Sequence, residues 1–123
     1  MYSEKIIERF RNPQFAGEIK DADAVGEEGN MKCGDIMKIF LKVENNVIVD
    51  IKFKTYGCMA AIASSDAMCE LAKGMSVEGA EKITYEDIIE KMGGDVPEVK
   101  IHCSVLGTRA LRNALKDYKK QQH

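Results

Sequence analysis

No apolar run in the chain approaches the roughly 20 residues that a membrane-spanning helix requires, so no membrane helix is expected. The opening, Met1-Tyr2-Ser3-Glu4-Lys5, lacks the apolar core of a secretory signal, and a cytoplasmic protein is expected. A basic excess is missing too. The net charge is −2 and the pI is near 5.7, which leaves no positive field for nucleic-acid phosphates. Internal repeats, low-complexity tracts and linkers are absent, so one domain over residues 1–123 is expected. No Cys-x-x-Cys pair occurs, which argues against a thioredoxin-like redox site.

What is present suffices for a folded domain. Hydrophobic residues make up 45% and charged residues 31%, enough for a core and a solvated surface. Ser3 is a candidate cap for a helix over residues 3–11 that carries Ile6, Ile7 and Phe10, with Asn12-Pro13 as its stop. Residues 17–30 are polar and glycine-bearing, and read either as a weak strand or as an irregular segment.

Alternation is clearest further on. Met37, Ile39, Leu41 and Val43 share one face against Lys38 and Lys42. After Glu44-Asn45-Asn46, a second run puts Val47, Val49, Ile51 and Phe53 opposite Asp50, Lys52 and Lys54. Period two on both sides of a short Asn-containing turn predicts a β-hairpin with one wet face. Helical spacing follows over 60–73, ending at Gly74, then over 76–82, over 84–92 before Gly93-Gly94, and from about Ser104 to Lys119. Strands first and helices after predict an α+β fold, a small antiparallel sheet with helices packed on one face.

Three of the four cysteines flank element ends. Cys33 precedes the hairpin, Cys58 follows it and opens a helix, and Cys103 opens the last helix. A hairpin returns to its starting edge, so Cys33 and Cys58 are expected side by side. Helix N-termini stabilise thiolates, which predicts lowered thiol pKa values for Cys58 and Cys103. Gly34 and Gly57 keep the approach small. Asp35 and His102, beside these cysteines, are each candidates for a fourth ligand, although Asp35 also suits a strand start and His102 a cap. Cys69 lies among Ala67, Met68 and Leu71 inside a helical stripe and reads as a small buried hydrophobe.

The separation of the three cysteines, with 24 and 44 residues between them, is unlike the tight pairs of a structural zinc module. A cysteine protease needs a positioned histidine base, and His102, adjacent to Cys103 in sequence, diverges from it.

These residues resemble the iron–sulfur scaffold family of IscU and the N-terminal domain of NifU. The matching motifs are Tyr2-Ser3-Glu4-Lys5 with Asn12-Pro13, Cys33-Gly34-Asp35-Ile36-Met37, Phe53-Lys54-Thr55-Tyr56-Gly57-Cys58 with Ala61-Ile62-Ala63-Ser64-Ser65, and Lys100-Ile101-His102-Cys103-Ser104-Val105-Leu106. The zinc-associated SufU branch resembles the chain less, since it carries extra residues before its third cysteine. The further cysteine-bearing domains of NifU are expected to be missing.

The resemblance implies a scaffold rather than an enzyme. It would hold a labile cluster, 2Fe-2S in preference to 4Fe-4S, on Cys33, Cys58 and Cys103 with Asp35 or His102. Zinc would occupy the same residues in the cluster-free form. Implied partners are a cysteine desulfurase that supplies sulfur, recipient apo-proteins, and a second copy in a homodimer. An Hsp70-type chaperone is not favoured, because Asp95-Val96-Pro97-Glu98-Val99-Lys100 keeps only the Pro-x-Val-Lys part of the recognised segment. The alternative from another class is a zinc-binding sulfur acceptor of sulfurtransferase type.

Overall fold

The structure is a computed structural model that describes residues 3–30, 34–94, 96 and 101–121. The first helix, α1 (Glu4–Arg11), begins at Ser3, whose hydroxyl accepts from the Ile6 amide at 3.4 Å. Only Ile6 of this helix is fully buried. The chain then runs along the sheet edge, where Phe53 and residues 15–17 exchange backbone hydrogen bonds of 2.9 Å.

Three strands follow in the order β1 (Ala24–Asn30), β2 (Asp35–Glu44), β3 (Val47–Tyr56), all antiparallel. The glycine-bearing segment is thus a strand over its second half. Pairing explains this better than propensity does. β1 is bonded to β2 on one side, while on the other Asp117 accepts from the Val25 amide at 3.1 Å and Asn113 donates to the Glu27 carbonyl at 2.9 Å. Gly26 lets the last helix lie directly on the strand: a Cβ there would overlap the Ala114 amide and the Ala110 carbonyl and stand 2.7 Å from the Ala114 Cα.

Asn45 and Asn46 turn the β2–β3 hairpin with φ of 52° and 65°, the double left-handed geometry of a type I′ turn. The expected faces hold for β2, where Met37, Ile39, Leu41 and Val43 are buried. On β3 they do not hold throughout. A bulge between Lys42 and Val43 pairs Lys42 with Asp50 but Val43 with Ile48, leaving Val49 as the extra residue. Ile48 is therefore buried and Val49 is 39% exposed, whereas Ile51 and Phe53 keep the expected side.

The helices α2 (Met59–Ala72), α3 (Val77–Glu81), α4 (Tyr85–Lys91) and α5 (Ile101–Lys120) complete the order. Gly74 follows α2 with φ of 89°, Ser76 caps α3, and Thr84 with Asp87 forms a capping box on α4. α5 starts three residues earlier than the spacing predicts. Its Leu111, Ala114 and Leu115 are buried against the sheet and α2, and Arg109, Arg112, Lys116 and Lys119 are exposed. This is the α+β sheet-and-helix architecture anticipated from the sequence.

Candidate metal centre

β2 opens and β3 closes at one end of the sheet, with Ile36 paired to Tyr56. The chain leaves β3 through Gly57 and enters α2 at Cys58, its N-cap, whose side chain makes no capping hydrogen bond and is left for other contacts. The first turns of α2 are pinned to β3: Thr55 Oγ1 and Ser65 Oγ lie 2.8 Å apart, and Ser65 donates to the Ala61 carbonyl at 2.8 Å. α5 brings Cys103, its third residue, to the same place.

Three side chains from three elements converge there. Asp35, Cys58 and Cys103 each place one ligand atom within 4.8 Å of the others. Cys58 Sγ is 3.8 Å from Cys103 Sγ, and Cys103 Sγ is 3.7 Å from Asp35 Oδ2. Asp35 and Cys103 are buried, and Cys58 is half-buried. Ala60 and Ala61 wall the thiols on the α2 side. Gly57 is what lets the carboxylate in, since a Cβ at that position would overlap Asp35 Oδ1.

The donor chemistry suits a soft or borderline metal. Two thiolates on one tetrahedral ion, with metal–sulfur bonds of about 2.3 Å, stand about 3.8 Å apart. Cys58 and Cys103 already have that separation. A carboxylate beside them supplies a harder third donor.

Burial reverses one expectation. Desolvation pushes the Cys103 thiol well up, and the nearby Cys58 and Asp35 push it further in the same direction. Placement in the first turn of a helix does not outweigh loss of water and an adjacent carboxylate. A bound metal cation would favour the Cys103 thiolate instead.

Cys33 lies outside the described residues, as do Tyr2, the side chain of His102 and, apart from Val96, the 95–100 segment. Gly34 is described, with φ of +71°. Cys69 is fully buried in α2 within the main core, away from the converging thiols.

Sequence reasoning missed Asp66. Its carboxylate is 1% exposed, accepts from Arg9 Nη1 at 2.9 Å and from the Phe15 amide at 2.9 Å, and so fastens α1 and the following segment onto α2. Glu70 bridges Arg9 at 3.2 Å and Lys91 at 2.7 Å, and the Lys91 contact holds its carboxyl below the usual range. The available signal was a carboxylate set within a small-residue stretch of helix, Ala63-Ser64-Ser65-Asp66-Ala67. Ser104 Oγ is also notable as the buried side-chain oxygen without a hydrogen-bond partner among the described residues, immediately after Cys103.

Known proteins share this framework. The NifU-like N terminal domain family matches residues 1–123. The iron-sulfur cluster assembly scaffold protein IscU 1 of Archaeoglobus fulgidus is 52% identical over 118 residues, which cover 96% of this chain and 76% of that protein. The scaffold protein IscU of Aquifex aeolicus is 46% identical over 123 residues, covering 98% and 78%. A crystal structure of an iron-sulfur cluster assembly scaffold protein for the SUF system, from Fervidobacterium islandicum, superposes with a TM-score of 0.78 at 27% identity, covering 93% of this chain and 96% of that one. Motifs, topology and likeness agree, and the chain belongs to the NifU-like N-terminal domain family that includes the IscU scaffolds.

Proposed function

We propose that residues 1–123 act as one scaffold domain on which an iron–sulfur cluster is assembled and from which it is passed on. The ligands are Cys33, Cys58 and Cys103, with Asp35 or His102 completing the set. The observation that carries this reading is the convergence of Asp35, Cys58 and Cys103 from β2, the α2 N-cap and α5.

Three thiolates rather than four suit a temporary host. Four cysteines hold the clusters of electron carriers firmly. A hard carboxylate or a protonatable imidazole at one corner weakens the hold there. Cys58 and Cys103, spaced for a single metal, would share one iron, which leaves Cys33 for the other iron of a 2Fe-2S cargo. Sulfur arrives from a cysteine desulfurase as persulfide, an electron donor supplies the two electrons that convert its outer sulfur to cluster sulfide, and recipient apo-proteins take the product. The chain is then a carrier whose cysteines are restored after each transfer, not a turnover enzyme.

The same spacing favours a second reading. A tetrahedral zinc ion suits two thiolates with Asp35 and a fourth donor, and such a protein accepts sulfur without building a cluster. Anaerobic reconstitution with ferrous iron and sulfide separates the two. A scaffold develops sulfide-to-iron charge-transfer absorption, which Cys33→Ala, Cys58→Ala and Cys103→Ala each nearly abolish and Cys69→Ala leaves intact. A colourless protein that retains zinc under those conditions decides for the second reading.

A further inference from the structure

The outer face of α5 carries Arg109, Arg112, Lys116, Lys119 and Lys120, all exposed. At 100° per residue these side chains fall within an arc of about 100°, and from Arg109 to Lys120 they extend about 16 Å along the helix. The ridge stands on a chain whose net charge is −2. Arg9, Lys42, Lys54 and Lys91 each have a carboxylate within ion-pair distance. On the ridge only Lys119 does, with Glu81 of α3, among the described residues. Arg112 donates to the Ile83 carbonyl at 3.4 Å.

Such a ridge works against its own helix. Arg109 with Arg112, Arg112 with Lys116, and Lys116 with Lys119 and Lys120 are like charges three or four residues apart, and each such pair destabilises an isolated helix. The helix dipole accounts for lysines in the last turn, but its effect falls off within that turn. Arg109 and Arg112 lie two to three turns upstream and gain nothing from it.

We propose that this ridge docks an acidic segment of a protein partner, a helix with Asp and Glu along one face. A membrane surface is disfavoured because α5 has no free apolar face to insert: Leu111, Ala114 and Leu115 are buried in the core. A nucleic acid is disfavoured because the chain as a whole is acidic and the ridge carries no exposed aromatic ring for base stacking. Arg109 follows Cys103 by six residues on the same helix, about 9 Å along its axis. A partner held on the ridge therefore begins about two turns from Cys103 along the helix and reaches to about five turns from it. The proposal is independent of what those thiols carry.

The test uses the full chain and three probes: a fluorescein-labelled helical peptide with glutamate at every fourth position, a 20-base-pair duplex DNA, and phosphatidylserine vesicles. Fluorescence anisotropy is read for the wild type, for Arg109→Gln/Lys116→Gln, and for the charge-matched control Arg11→Gln/Lys20→Gln. The first pair spares the Ile83 and Glu81 contacts. Peptide binding should weaken at least tenfold in the ridge variant and change little in the control. The ridge variant should also melt at a higher temperature, since like-charge neighbours are relieved, which excludes misfolding as the cause of lost binding. Equal peptide affinity for all three proteins, or tighter binding of the duplex or the vesicles, overturns the proposal.

Discussion

Replacing Gly57 by alanine should weaken metal binding without touching a ligand. A Cβ built on Gly57 overlaps Asp35 Oδ1, lies 3.0 Å from Asp35 Cγ and stands 3.1 Å from the Ala61 Cβ. The obstacle is the tip of a side chain, so the carboxylate swings away and the backbone stays. Asp35 Oδ2 then loses its place 3.7 Å from Cys103 Sγ. Disturbing the support of a metal ligand costs about 10- to 100-fold in affinity, or about 1.4 to 2.8 kcal/mol. Global stability should change by less than about 1 kcal/mol, because alanine also lowers the entropy of the unfolded chain. Competition for zinc against a chromophoric chelator measures the first quantity, and urea unfolding of the apo protein the second. Asp35→Ala supplies the decisive comparison. If Gly57→Ala acts through Asp35, the double variant binds zinc no more weakly than Asp35→Ala alone. Additive losses, or unchanged affinity in Gly57→Ala, would refute the role assigned to the carboxylate.

Three further outcomes follow from the packing. Asp66→Ala leaves the Arg9 guanidinium and the Phe15 amide without their buried acceptor, and should cost about 3 to 5 kcal/mol in urea unfolding; a loss below 1 kcal/mol would show that α1 is held by its apolar contacts alone. Gly26→Ala meets backbone rather than a side chain, so α5 cannot reseat, and the loss should exceed about 3 kcal/mol; a wild-type urea midpoint would contradict the close approach. Cys69 gives a pH signature. Burial, with Asp66 second, holds its thiol well above the ordinary range. Below pH of about 8.5 the thiol is protonated in both states and its contribution is complete. Above that only the unfolded chain ionises, and stability falls by about 1.4 kcal/mol per pH unit until the folded thiol also titrates. Cys69→Ala should remove that part of the slope between pH 8.5 and 10, and parallel slopes in both proteins would exclude it.

Local signals carried most of the architecture. Ser3, Ser76 and Thr84 announce helix starts because a hydroxyl that accepts from the third following amide works without tertiary help. The hairpin was legible from alternation, and Asn45-Asn46 is chemically suited to its turn. The face change at Val49 was not legible, since a bulge inserts one residue and leaves composition untouched. β1 escaped pattern reading because its stability comes from β2 on one side and from α5 side chains on the other. At the site, hairpin geometry put Cys33 beside Cys58, a pairing that lies outside the described residues. Asp35, the first residue of β2, is the neighbour described near Cys58, and the raised Cys103 thiol did not follow from its place on a helix. Desolvation depends on what packs around a residue, which no single motif records. Asp66 was missed for the same reason, as its partners Arg9 and Phe15 lie 57 and 51 residues away.

The three converging ligands also set an order in time. Cys58 and Cys103 are 45 residues apart in the chain, and Asp35 and Cys103 are 68 apart. A ribosome adding about 5 to 20 residues per second needs roughly 3 to 14 s to pass from the first of these groups to the last. During that interval the nascent chain displays Asp35 and Cys58 with no second thiol from α5 beside them. A metal met early would find an incomplete set of donors. If the proposed function holds, tight capture would require α5 to have emerged and seated on Gly26.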